Sequence, residues 1–213
     1  MREAPSLLQS ICIDSNNRIT SSAKITKRMQ NEIRKYGRTA RSTLSRDERE
    51  NASEKIAENV IQSSWFQRSK YVACYLPVPG EVDTWRIIAR AWRMKKRIFA
   101  PVVEKKGRLM FWEITPESDL YTNHYGLYEP CYGNSITARM LDIVITPLVA
   151  FDSHNHRIGM GGGYFDRTFS FLSHRNTFLH PKLIGIAFAC QEVEKISPNP
   201  WDIRLFRVIT ELS

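Results

Sequence analysis

Four short runs of this chain are almost wholly apolar: "YVACYLPV" at 71–78, "RIFAPVV" at 97–103, "LDIVITPLVAFD" at 141–152 and "KLIGIAFA" at 182–189. A strand with one wet face alternates apolar and polar residues. These runs do not alternate, so both faces of the sheet they build must be covered. Segments of helical period lie between them. Strands that alternate with helices define the α/β class. The expected fold is therefore α/β, a three-layer sandwich with a mostly parallel central sheet and an N-terminal helical hairpin.

The helices follow from spacing. Over 23–44, Ile25, Met29, Ile33 and Tyr36 recur at helical intervals, with Arg and Lys on the other positions. Ser45 with Glu48 three residues later is a capping-box signature for a second helix, ending near Ser63–Trp65. A third covers 82–96, with Asp83 at its N-cap and Ile87, Ala91 and Met94 on its apolar side. "YFDRTFSFLSHR" reads as a fourth, through Phe165, Phe169 and Leu172. "RLMFWEI" at 108–114 and a stretch near Val208–Thr210 add strands, and 115–138 reads as a loop. Residues 1–22 are expected to be a loosely ordered leader, and 23–213 a single domain.

Composition excludes several functions. No apolar run approaches the roughly 20 residues of a membrane helix. Cys12, Cys74, Cys131 and Cys190 form no CxxC pair, against a zinc ribbon or a redox motif. Cys74 and Cys190 sit in apolar runs and read as buried thiols, which suits a reducing cytoplasm. The net charge is +9, densest in the first helix. That excess suits a solvated face, a polyanionic small substrate, or a nucleic acid, the last without any recognised motif.

"RIGMGGGYFDRTF" concentrates Gly159, Gly161, Gly162 and Gly163 between a strand and a helix. Glycines there let backbone N–H groups converge on an anion. The loop lacks the Lys-Ser/Thr of a P-loop, and GxGxxG from Gly159 would need glycine where Tyr164 stands. A phosphate cradle and a tight turn both remain open. Asp166 beside such a cradle suits Mg²⁺ or a helix cap, and Arg167 suits a phosphate or the solvent. His154 and His156 read as a solvent-exposed pair rather than a metal site.

"FDSHNHRIGMGGGYFDRTF" resembles the signature of the 5-formyltetrahydrofolate cyclo-ligase family, also called methenyltetrahydrofolate synthetase. "IRKYGRTARSTLS", "YLPVPGEVDT", "YGLYEP" and "LDIVITPLVAFD" match in the same order, so the resemblance covers 24–210. It implies ATP-dependent closure of 5-formyltetrahydrofolate to 5,10-methenyltetrahydrofolate, releasing ADP and phosphate. It implies ATP contacts from Lys27, Arg34, Arg157, Gly159, Met160, Gly161, Gly162, Gly163, Tyr164, Phe165 and Arg167. Folate contacts fall on Leu76, Glu81, Met160, Gly161, Gly162, Gly163 and Tyr164. Arg157, Tyr164 and Asp166 are the implied catalytic residues, and Asp166 and Asp202 the implied Mg²⁺ ligands. The partners implied are MgATP and the folate, with or without a polyglutamate tail, for a cytoplasmic monomer that binds neither membrane nor nucleic acid. Departures are Gln30 at a family lysine, Asn155 at a family glycine, Phe165 at a tyrosine and Phe206 at an aspartate. A family relative with lost catalysis is the alternative that Gln30 and Phe206 support.

Overall fold

The computed structural model describes residues 22–104, 107–174 and 180–213. The expected leader lies outside the described residues, apart from Ser22, which opens the first helix. Helices α1 (Ser22–Ser42), α2 (Arg46–Gln62) and α3 (Ser64–Arg68) lead to strand β1 (Tyr71–Cys74). Then come α4 (Trp85–Arg93), β2 (Arg97–Val103) and β3 (Leu109–Ile114). Next are β4 (Leu120–Thr122), β5 (Tyr128–Pro130), β6 (Ser135–Ile136), β7 (Ile143–Pro147), β8 (Ala150–Phe151) and β9 (Arg157–Ile158). Helix α5 (Tyr164–Phe169), β10 (Lys182–Ile186) and β11 (Arg207–Ile209) complete the order.

The main sheet has seven strands in the order β11-β10-β7-β1-β2-β3-β6. The five strands from β11 to β2 are parallel, and β3 and β6 join antiparallel. The apolar runs explain the pleat. Val72 and Cys74 of β1, Ile143 and Ile145 of β7, and Ile184 and Ile186 of β10 share one face. Ala73, Val144 and Leu183 turn to the other. Ile56, Ala57 and Val60 of α2, with Ile87, Ile88 and Ala91 of α4, cover the first face. Phe169 of α5, with Leu141, Ile203 and Leu205 from loops, packs on the second. Each such large side chain contributes about 1.5–3 kcal/mol by leaving water.

The capping box of α2 forms as expected: the Glu48 amide donates to Ser45 Oγ at 3.2 Å, and the Ser45 amide to Glu48 Oε2 at 2.7 Å. Helix α1 packs on a different stripe from the expected one. Met29 and Tyr36 are exposed, whereas Gln30 and Gly37 are buried with Ile33 partly so. The reason is close approach: a Cβ on Gly37 would lie 2.2 Å from the Val149 carbonyl oxygen. Only glycine lets α1 sit on that backbone, and it lies chiefly against β8, β9 and the turn at Ala189–Gln191, while α2 lies on α4 and β11.

Other elements also differ. Thr84, not Asp83, holds the N-cap position of α4, while Asp83 Oδ1 accepts from the Trp85 amide at 2.9 Å. The 141–152 run breaks in two, because β8 leaves the sheet after Pro147 and pairs with β9 in a separate ribbon. The helix expected from Tyr164 stops at Phe169 and tightens into a 3-10 turn over Ser170–His174. Thr168, Ser170 and Ser173 hydroxyls bond main-chain carbonyls there, competing with a regular helix. Cys74 is buried, and burial pushes its thiol up to about 12, but Cys190 is only half-buried.

Candidate active site

The glycine loop follows the β8–β9 ribbon. Asp152 fixes that ribbon from within. Its Oδ1 accepts from the His154 and His156 amides at 3.0 and 2.9 Å, and its Oδ2 from the Ile196 amide at 3.0 Å. Burial pushes this carboxyl up, but those amides and the His156 ring at 3.0 Å outweigh it, leaving a pKa below the usual value. Asp152 thereby also holds the His156 ring through Nδ1. No group of three or more His, Cys, Asp or Glu among the described residues is arranged to hold an ion. Asn155 takes the left-handed conformation, φ 62°, at the ribbon's turn, where asparagine is the residue most tolerated after glycine.

Within the loop, Gly161 and Gly163 have φ of 102° and 65°, and a Cβ on Gly162 would strike the Tyr164 ring at 2.6 Å. The chain's own path therefore requires these three glycines, and Gly159 has open space around it. Side chains hold the carbonyls of the loop from outside. Arg34 Nε donates to Gly159 O at 3.0 Å, and Arg167 donates to Gly162 O and Gly107 O at 2.7 and 2.8 Å. Arg167 thus fastens the loop, which answers part of what its place beside the cradle left open. Met160 is exposed, with its sulfur 3.9 Å from Arg38 Nη2. Phe165 stacks on Phe169 at 6.0 Å, so its missing hydroxyl leaves the packing intact.

The loop opens onto a cleft of about 1880 Å³. Lys27, Arg34, Lys35 and Arg38 of α1 line it, so the basic excess of the first helix turns toward this space. Burial lowers the pKa of Arg34, neighbouring Arg38 lowers it further, and Asp202 works the other way. A polyanion entering here would relieve that crowding. Gln30 is buried on the same wall, and its Nε2 finds no partner among the described residues. A buried donor without a partner costs about 1–3 kcal/mol, which a ligand oxygen would recover.

Asp166 and Asp202 both line this cleft. Asp166 Oδ1 accepts from Arg157 Nη2 at 2.7 Å and from the Ile203 amide at 3.1 Å. Asp202 Oδ2 accepts from the Asn199 amide and side chain at 2.8 and 3.1 Å, which caps the turn between them. Among the described residues, Asp166 Oδ2 and Asp202 Oδ1 accept no hydrogen bond. Two half-free carboxylates beside a space for phosphates fit Mg²⁺, which takes one or two carboxylates, phosphate oxygens and water. Arg157 lines the cleft too, with its side chain 5% exposed and two of its guanidinium donors given to Asp166 and the Ile203 carbonyl.

Leu76 and Glu81 line the cleft from the sheet side. Glu81 Oε2 accepts from the Val78 amide at 3.3 Å. Burial pushes its carboxyl above the ordinary value, partly offset by that amide and by Arg41.

One part of the wall was missed in the sequence. β4 and β5 form a hairpin where a loop is expected, and Tyr125, Leu127 and Tyr128 from it line the cleft. Buried Glu129 roots it, accepting from the Val103 amide, Tyr121 Oη and Asn123 Nδ2 at 3.0, 2.8 and 2.8 Å. Tyr125 Oη lies 3.0 Å from Tyr164 Oη, joining the hairpin to the glycine loop. The available signal was Asn123 three residues before Gly126, which takes φ 75° in the turn.

Fold and site together define an α/β enzyme with a glycine loop, a basic helix and two carboxylates around one large cleft. The profile of the 5-formyltetrahydrofolate cyclo-ligase family matches residues 26–211. The chain belongs to that family. It is 31% identical over 182 residues to the 5-formyltetrahydrofolate cyclo-ligase of Haemophilus influenzae, covering 84% of this chain and 95% of that one. It is 34% identical over 177 residues to the Escherichia coli enzyme of the same name, covering 81% and 95%. The solved structure of Aquifex aeolicus 5,10-methenyltetrahydrofolate synthetase superposes with a TM-score of 0.75 at 30% identity, covering 87% of this chain and 91% of that one. These relatives favour the cyclo-ligase reading over a nucleic-acid module. No helix among the described residues is long and apolar enough to cross a membrane.

Proposed function

We propose that this protein closes 5-formyltetrahydrofolate to 5,10-methenyltetrahydrofolate with conversion of ATP to ADP and phosphate. The observation that carries the reading is the cleft that joins basic α1, the glycine loop and the two carboxylates to the half-buried Glu81 on its other wall. The γ-phosphoryl group passes to the formyl oxygen, the amine at position 10 attacks the activated carbon, and phosphate leaves with the former formyl oxygen. Such chemistry asks the protein for positioning and charge neutralisation.

Arg34, Lys27 and the loop Gly159–Phe165 would receive the ATP phosphates, with the Gln30 amide as an added donor. Asp166 and Asp202 would hold Mg²⁺, which neutralises phosphate charge when bound. Glu81 would accept paired N–H donors of the aminopyrimidine ring. Leu76 and Tyr164 would flank the folate. We place the protein in the cytoplasm as a monomer of one domain over 23–213 that acts on small molecules alone, with a polyglutamate tail tolerated at the open mouth. The free thiols of Cys74, Cys131 and Cys190 support a reducing compartment.

The test is to mix the protein with 5-formyltetrahydrofolate, ATP and Mg²⁺ and follow the absorbance of the methenyl product. Product should appear only with all three present. Its absence at high protein concentration would leave a binding relative without catalysis.

A further inference from the structure

Arg157 opens β9; it lines the cleft, and its side chain is only 5% exposed. Its two bonds reach two different segments. Nη2 donates to Asp166 Oδ1 on α5 at 2.7 Å, and Nη1 donates to the carbonyl of Ile203, the residue after Asp202. The Ile203 amide donates to the same Asp166 oxygen at 3.1 Å, closing a ring of three contacts. One consequence is that Asp166 is held by Oδ1 alone. The other is that the turn carrying Asp202 is fastened to the helix carrying Asp166.

We infer that Arg157 is a positioning residue: it sets the spacing and direction of the Asp166 and Asp202 carboxylates toward a divalent cation and touches no phosphate itself. This rests on reading those two carboxylates as the Mg²⁺ pair. A guanidinium suits the task, since its rigid fork serves two acceptors at fixed angles and stays charged. A lysine ammonium keeps the charge without the fork. Simple electrostatics gives the opposite sign. If Arg157 merely competed with the cation for Asp166, removing it would tighten cation binding. If it brackets the pair, removing it weakens binding, by the about 10–100-fold typical of groups that orient metal ligands.

The experiment titrates ATP calorimetrically into wild type, Arg157→Lys and Arg157→Gln, with Mg²⁺ and separately with EDTA. No folate is added, so no turnover intervenes. Wild type should bind ATP more tightly with Mg²⁺. The variants should lose about tenfold of that gain, keep binding in EDTA within about twofold, and recover as Mg²⁺ is raised. Combined with Asp166→Asn, the Arg157 change should add nothing. Circular dichroism and melting check folding, and Arg157→Lys carries the test if Arg157→Gln unfolds. An unchanged or enlarged Mg²⁺ gain would overturn the inference. So would an equal loss in EDTA, which would place the guanidinium on phosphate. A wild type whose ATP affinity ignores Mg²⁺ would overturn the metal reading itself, and this inference with it.

Discussion

The sheet core and the cleft rim are held by opposite means. In the core, β1, β7 and β10 bury aliphatic side chains on both faces, and no single contact dominates. At the rim, a few directional bonds fix irregular backbone: Asp152 on the ribbon, Arg167 and Arg34 on the glycine loop, Arg157 on the two carboxylates. Packing energy is spread over many weak contacts, whereas each rim bond places one chemical group. Core changes should therefore cost stability first, and rim changes function first.

The largest effect is expected in the sheet core. Ile56→Ala, at a fully buried position, should lower unfolding free energy by about 2–5 kcal/mol while leaving kcat in the cold nearly unchanged. A denaturant titration beside an assay checks both. Asp166→Asn should do the reverse. Asparagine still accepts from Arg157 and Ile203, so melting should shift little, but kcat/KM should fall about 100-fold, comparable to losses at metal sites.

Glu81→Gln should raise KM for the folate about tenfold with little change for ATP, as for loss of a charged hydrogen bond. The carboxylate is the accepting form, and burial raises its pKa. Folate use in wild type should therefore decline on acidification at a higher pH than an ordinary glutamate would give. In the glutamine variant that decline should disappear from the pH profile, with Arg41 and Tyr75 as the neighbouring charged and titratable groups. The smallest effect sharpens the boundary. The Thr168 hydroxyl accepts from the Leu109 amide and donates to the Tyr164 carbonyl, joining α5 to the sheet. Thr168→Val should cost about 1–2 kcal/mol in a melt and change kcat only modestly.

The core was legible because unbroken apolar runs state their burial directly, and the parallel sheet follows from them. The rim was legible only in part. The glycine cluster announced itself, yet which glycines the backbone needs depended on φ and on the Tyr164 ring. The packing stripe of α1 was misread because one glycine, Gly37, outweighs Met29 and Tyr36 by permitting contact with Val149. The hairpin carrying Tyr125 escaped because its strands are three residues long and half-exposed, too short for a period. The bond from Arg157 to the Ile203 carbonyl was invisible in the sequence, since the two residues lie 46 positions apart.

The central claim is that this cleft couples phosphoryl transfer to ring closure. The most direct measurement follows a heavy-oxygen label placed in the formyl group of the substrate, using the wild-type protein, ATP and Mg²⁺. The account predicts that released phosphate carries the label, in equal amount to the methenyl product. Unlabelled phosphate, or phosphate released without product, would mean that water takes the phosphoryl group and would contradict it.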